Sequence, residues 1–452
     1  MKRRTGSILL ASAMLTGVLA GCSSNNSGNN GGNAASGSPS ASASGSSSPS
    51  ASQTSGQSGS GEKVTIQFWH STSGKTGEAL DAMVQRFNSS HPDVQVVSTF
   101  QGSYDDASTK LQQAIAGNNA PDVSMVERAY VQQFAESDVL ADMTPYMDKS
   151  GMSKDDFVQG LMGHSVFNDK LVSLPLNRST PIFYINKKML DEKGLQVPQT
   201  WDDLKKVANA LVVKENGKVS TYGLTMPYDT WYPLAMITQA GSTFFSDDGK
   251  TVPFVDDGTG NKVFSYLRDL QDSGALYYPP SQDSGSIVNQ MFTSGKVGMV
   301  FQSTGIMSTL QTDFDYVTAF LPADKQHAEP TGGGNIVMLD SSKHKDAAWE
   351  FVQWVETDPQ GAQQFILDTG YLPFTKKMAE SQEVQDLWAK DPNRKTAYDQ
   401  LQYAVDTNKS VAWPLVMKEF FSAIEAIMYD HKDVDATLKT FKKSAEDILS
   451  SN

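Results

Sequence analysis

Six histidines are scattered through the 452 residues, and no two stand at the HxxxH or HExxH spacing that sets a pair of imidazoles on one helix face for zinc. Cys22 is the sole cysteine, so no internal disulfide can form and a zinc site would have to be gathered from distant residues. Gly163-His164-Ser165 begins like a nucleophile elbow, but Phe167 occupies the position of the closing glycine. Ser73-Gly74-Lys75-Thr76 resembles the end of a phosphate loop, yet Trp69 stands where the first glycine belongs, and the segment reads as a glycine turn leading into a helix. Carboxylates are abundant but dispersed, with no pair identifiable as the two acids of a glycosidase. No catalytic set, metal site or cofactor is expected, and the balance moves from enzyme to binder.

Aromatic and small polar residues are the remaining chemistry. Sugars and polyols are held by flat ring faces together with a few hydrogen-bonding groups that fix orientation. Tyr104, Glu127, Tyr228, Trp231 and Tyr371 are suitable types for that work. Taken singly, core packing or a place on a lobe surface explains each of them better than ligand contact does.

The elements that would position them alternate between strand and helix. Residues 64–69, 93–100 and 122–126 read as strands, and 77–88 and 104–117 as helices with apolar residues at helical spacing. Such alternation predicts an α/β fold with a parallel-type sheet. Ligands then sit beyond the carboxyl ends of the strands, here the loops 69–74, 101–104 and 127–130. A Pro-flanked apolar segment, 171–186, crosses to a second region, and Gly332-Gly333-Gly334 supplies the backbone freedom of a hinge or ligand-facing turn. Two apolar helix faces close the sequence: Phe420, Ile424, Ile427 and Met428 on one, Leu438, Phe441, Ala445 and Ile448 on the other. A body of this length exceeds one core and fits two lobes.

Upstream, Lys2, Arg3 and Arg4 precede an apolar run, Ile8 to Leu19, that closes on Leu19-Ala20-Gly21-Cys22. Basic start, short apolar middle and small residues at the cut predict a signal peptide over 1–21. Residues 22–61 are Ser, Gly, Asn, Ala and Pro almost throughout, a flexible tether reaching on the order of 35 Å. The formal charge of −14 becomes −17 once Lys2, Arg3 and Arg4 are removed, a surface that repels nucleic acid.

Motifs in order along the chain carry a resemblance: Phe68-Trp69-His70-Ser71, Ala120-Pro121-Asp122-Val123, Leu174-Pro175-Leu176-Asn177-Arg178-Ser179-Thr180-Pro181, Pro198-Gln199-Thr200-Trp201-Asp202-Asp203-Leu204 and Thr369-Gly370-Tyr371-Leu372-Pro373. From Glu62 onward the sequence resembles the family-1 extracellular solute-binding proteins of carbohydrate ABC importers, nearest the glycerol-3-phosphate and glycerophosphodiester branch. Leu19-Ala20-Gly21-Cys22 resembles the bacterial lipobox, whose cysteine receives lipid. The resemblance implies a two-lobe, type II periplasmic-binding-protein fold, with 62–176 and 335–373 in the first lobe and 177–334 and 374–452 in the second. It places ligand contacts at Tyr104, Glu127, Ser179, Tyr228, Trp231, Ser303, Gly334 and Tyr371. It also implies a monomer on the outer face of the cytoplasmic membrane of a single-membrane bacterium, handing a sugar, polyol or glycerophosphodiester to an ABC permease. One departure bears on the ligand: the branch's phosphate-contacting arginine aligns near Ser410-Val411-Ala412-Trp413-Pro414, which contains none. A neutral sugar is therefore expected, with Trp413 as a further stacking surface. The other functions weighed are an exported glycan hydrolase and a ligand sensor for a signalling receptor.

Overall fold

The computed structural model describes residues 63–406 and 409–451. The segments expected as signal peptide and tether, with Cys22, lie outside them. The first described residues form a strand, Val64–His70, whose Ile66 and Phe68 are fully buried while Thr65 and Gln67 are exposed. That period of two sets one strand face against the helix Gly74–Ser90, which answers with Leu80, Met83, Val84 and Phe87 at helical spacing.

Two sheets divide the described body. The first has the order Val94–Phe100, Val64–His70, Val123–Glu127, Gly332–Met338 and Leu174–Ser179. Its first three strands are parallel, as the strand–helix alternation predicts. Gly332–Met338 runs antiparallel to both its neighbours, so the sheet is mixed. That strand comes from some two hundred residues downstream of Val123–Glu127, and local alternation carries no signal for such a return.

The second sheet has the order Leu276–Tyr277, Lys218–Thr225, Val297–Ser303, Pro181–Asn186 and Tyr316–Ala319, with Val213–Glu215 paired to Lys218–Thr225. Along Pro181–Asn186 the side chains alternate between two cores. Ile182 and Tyr184 join the cluster that also holds the first sheet, and Phe183 and Ile185 join a second cluster. The closing helices, Trp413–Met428 and Val434–Ser451, bury Phe420, Ile424, Ile427, Leu438, Phe441 and Ala445 in that second cluster.

Passage between the sheets is short. Leu174–Ser179 belongs to the first and Pro181–Asn186 to the second, and every residue from 174 to 186 is buried. A second passage runs through Glu329–Pro330, which pairs in parallel with Ala404–Val405, and then into Gly332–Met338. Arg178 ties these passages together. Its Nε donates to Gly332 O at 3.0 Å, Nη1 to Leu161 O and Asn335 Oδ1 at 2.9 Å each, and Nη2 to Thr331 Oγ1 at 2.8 Å. Its own carbonyl accepts from Leu372 N–H at 2.9 Å. Burial, with Arg128 nearby, pushes the guanidinium down to about 9, a cost that these four acceptors offset.

Candidate ligand-binding cleft

A cavity of about 420 Å³ lies between the two sheets, within the range of small-molecule sites. Elements of both lobes converge on it. Ser103 caps the helix Tyr104–Ala116: its Oγ accepts from Asp106 N–H, and Asp106 Oδ2 accepts from Ser103 N–H, each at 3.2 Å. This reciprocal cap fixes the turn, so that Tyr104 and Asp105, the first two helical residues, stand at the cavity. Asn177, fully buried on the crossing strand, donates from Nδ2 to Tyr104 Oη at 2.8 Å and orients the phenol.

Glu127 ends the strand Val123–Glu127 and folds back over the next turn. Its Oε2 accepts from Ala129 N–H at 2.7 Å, and its Oε1 lies 3.9 Å from Arg128 Nε. Burial raises its carboxyl above the usual range, against the opposing pull of Arg128. From the second lobe, Trp231 opens the helix Trp231–Gln239, and its Nε1–H donates to Pro330 O at 2.6 Å. The indole lies against Gly332, where a Cβ would come within 2.7 Å of the ring. Gly333 beside it has φ +87°, and a Cβ there would stand 2.0 Å from Asn177 O. The glycine run thus lets the returning strand pass under the ring and against the crossing strand.

Of the nine expected ligand contacts, Tyr104, Glu127, Ser179, Trp231, Ser303, Tyr371 and Trp413 line the cavity. Tyr228 and Gly334 do not. Tyr228 packs among Tyr278, Phe421 and Tyr429 and donates its hydroxyl to Phe421 O at 3.0 Å. Gly334 is buried behind the wall, its N–H donating to Asn177 Oδ1 at 2.8 Å, and Gly332 and Gly333 line the cavity in its place. Trp413 is 7% exposed and packs against Phe244 and Phe245, so little of its ring is left to the cavity. The loops 101–104 and 127–130 reach the cavity, whereas 69–74 does not: His70 there bonds Thr72 and packs on Phe100.

Six lining residues escaped the sequence reading: Asp105, Asp229, Thr230, Leu234, Met417 and Phe421. Tyr130 donates its hydroxyl to Asp105. Asp229 Oδ1 accepts from Trp231 N–H at 2.9 Å. Trp413, Met417 and Phe421 form an i, i+4, i+8 stripe along one helix beside the core face, a signal present in the sequence but indistinguishable there from packing.

His164, from the elbow-like Gly163-His164-Ser165, has its Nε2 2.9 Å from Asp406 Oδ1 and 3.1 Å from Arg128 Nη1, and burial holds the imidazole down to about 4. Among the described residues no cluster of three metal-binding side chains occurs.

Residues 82–396 match the sequence model of a family described as bacterial extracellular solute-binding protein. The chain belongs to that family. This solute-binding protein is 26% identical over 364 residues to the sn-glycerol-3-phosphate-binding periplasmic protein UgpB of Escherichia coli K12, covering 75% of this chain and 80% of the relative. Among solved structures it is similar to UgpB of Mycobacterium tuberculosis in complex with glycerophosphocholine, with a TM-score of 0.77, 24% identity, and coverage of 87% of this chain and 99% of that one. It is similar also to an ABC substrate-binding protein of Listeria monocytogenes in complex with cycloalternan, with a TM-score of 0.77, 23% identity, and coverage of 86% and 99%. The fold is the two-domain, type II binding-protein fold, and the relatives are ABC substrate-binding proteins for sugars or glycerol phosphates.

Proposed function

We propose that this solute-binding protein is the lipid-anchored receptor of an ABC importer and that it captures a neutral sugar or polyol by closing two lobes over it. The observation that carries this reading is the composition of the cleft wall. Tyr104 and Tyr371 come from one side and Trp231 and Phe421 from the other, with Ser179, Ser303 and Glu127 among them. Ring faces and hydroxyl-scale donors are the chemistry of carbohydrate recognition. Contacts from both lobes exist only in the closed form, so the ligand shifts the equilibrium by its differential affinity for that form.

The same wall argues against a phosphate. Among the described residues Arg128 is the lone basic side chain lining the cavity, and it sits beside Glu127. Arg178 is spent on the crossing strands, and the 410–414 segment has no arginine. A phosphate calls for paired donors or a free cation. The lobes are assigned as 62–176 with 335–373 and 177–334 with 374–452, joined to a lipid on Cys22 through the 22–61 tether, and the protein acts as a monomer that docks on its permease.

Calorimetric titration with neutral sugars, polyols, glycerol 3-phosphate and glycerophosphodiesters tests the cargo. Heat with a neutral member and none with the phosphates is expected; heat with the phosphates alone overturns the choice. Cys22→Ala should move the protein from the membrane fraction to the medium, and unchanged membrane association would refute the anchor.

A further inference from the structure

Asn177 sits fully buried on the crossing strand Leu174–Ser179, opposite Gly334 of the returning strand. Its Oδ1 accepts from Gly334 N–H at 2.8 Å, where the register of the two strands shifts between Gly334 and Asn335. A Cβ at position 334 would stand 2.8 Å from that oxygen, so glycine admits the amide. A backbone N–H can only donate, and this fixes which way the amide points: oxygen toward Gly334, NH2 toward the cleft. The NH2 group has only hydrogens to offer, and Tyr104 Oη accepts one at 2.8 Å. Tyr371 feels the same group. The Asn177 side chain pulls its phenol down against the upward push of burial, as a donor to the phenol oxygen does. Both tyrosines line the cavity, Tyr104 held by its capped helix start and Tyr371 stacked on Phe365 with ring centroids 5.7 Å apart.

A phenol hydroxyl has a single proton, and where its oxygen takes a hydrogen from one side that proton points to the other. Among the described residues Asn177 is the hydrogen-bond partner of the Tyr104 hydroxyl, so the Tyr104 proton is left for the cavity. We infer that Asn177 is a positioning residue of the cleft: it fixes the Tyr104 hydroxyl, with Tyr371 beside it, as a hydrogen-bond donor aimed at the ligand, and the site thereby selects a ligand that brings an acceptor oxygen to this point. The inference rests on the cleft being the ligand site. A sugar ring or glycosidic oxygen has lone pairs and no proton, and satisfies such donors outright; a phosphate oxygen shares that chemistry. An ammonium in the same place has only donors and meets phenol protons with none to receive them.

Asn177→Asp keeps the shape of the side chain and reverses its chemistry. A carboxylate accepts from Gly334 N–H with one oxygen and from Tyr104 O–H with the other, so the phenol donates inward and offers the cavity only a lone pair. Ultraviolet resonance Raman spectra of the ligand-free protein read this, because the tyrosine doublet differs between a phenol that accepts a hydrogen bond and one that only donates. The wild-type spectrum minus that of Tyr104→Phe should carry the accepting signature, and a purely donating one overturns the inference whether or not Asn177→Asp folds. The same difference in the Asn177→Asp background should shift to the donating signature. Calorimetry with maltose and glycerol 3-phosphate, one probe for each source of oxygen, reads the ligand side. For whichever binds, Tyr104→Phe and Asn177→Asp should each weaken binding about tenfold, equivalent to about 1.4 kcal/mol. The double variant should lie within about twofold of Asn177→Asp, since the two changes remove one interaction. Wild-type affinity in Asn177→Asp, or additive losses in the double variant, overturn the inference. If neither probe binds, the Raman difference alone decides it, and the cargo reading answers to the wider titration series.

Discussion

The indole of Trp231 and the carbonyl of Pro330 are joined by a 2.6 Å hydrogen bond that links the cleft wall to the segment passing between the lobes. At the other end of the same helix, Gln239 Nε2 donates to Glu329 Oε1 at 3.2 Å, so the helix Trp231–Gln239 is fastened to consecutive residues of the passage at both its ends. A ligand stacked on the indole therefore pushes on an element that is anchored to the hinge. Coupling between occupancy and lobe angle needs such a connection.

Trp231→Ala should weaken ligand binding at least about 30-fold, the loss of an anchor worth about 2 kcal/mol or more. Trp231→Phe keeps a ring face and removes the bond to Pro330, and should fall between. Calorimetry on the three proteins checks the order, and equal affinities would remove Trp231 from the site.

Arg178→Met should destabilise the protein by about 3–5 kcal/mol, because Gly332 O, Leu161 O, Asn335 Oδ1 and Thr331 Oγ1 all lose their donor in a buried setting. Arg178→Lys cannot reproduce the planar fork and should recover only part of that stability. Urea unfolding provides the measurement; a midpoint within error of wild type would contradict the clamp.

Adjacent glycines should separate stability from binding. Gly333→Ala forces a side chain onto φ +87° and a Cβ to 2.0 Å from Asn177 O, and the backbone strain alone costs about 1–3 kcal/mol. At Gly332 the obstacle is the Trp231 ring at 2.7 Å, so Gly332→Ala should displace the ring and lower ligand affinity with a smaller effect on unfolding. Comparing melting and titration for the pair distinguishes the two roles.

Glu329 should make stability depend on pH. It is 1% exposed, and burial pushes its carboxyl from 4.5 up to about 7, with Gln239 bonded to it and His327 Nδ1 3.8 Å away. Because the folded value lies above the unfolded one, the stabilisation is complete below about pH 4.5 and is lost as pH rises through about 7. The span corresponds to about 3 kcal/mol. Glu329→Gln should flatten that part of the profile and be the more stable protein above pH 7; a parallel profile would contradict the assignment.

The early strands and helices were legible because Ile66, Phe68, Leu80, Met83 and Phe87 obey periods of two and 3.6 within one short stretch. Gly332–Met338 was visible as an apolar strand after glycines, but not its place between Val123–Glu127 and Leu174–Ser179, since pairing over such distance leaves no local pattern. The cleft divides the same way. Seven of its residues were reached through motif resemblance, and two neighbours of those motifs, Tyr228 and Gly334, turned one residue or one ring away from the cavity. Asp229 and Phe421 were missed because a lone carboxylate before a helix and an aromatic stripe beside a core face look structural until the opposite lobe is in place.

A crystal structure of the protein grown with the best ligand from the titration series tests the central claim most directly. The account predicts density between Trp231 and Tyr371, in contact with Tyr104 or Glu127 from one lobe and with Trp231 or Ser303 from the other. Density outside this cavity, or contacts from a single lobe, would contradict capture by closure.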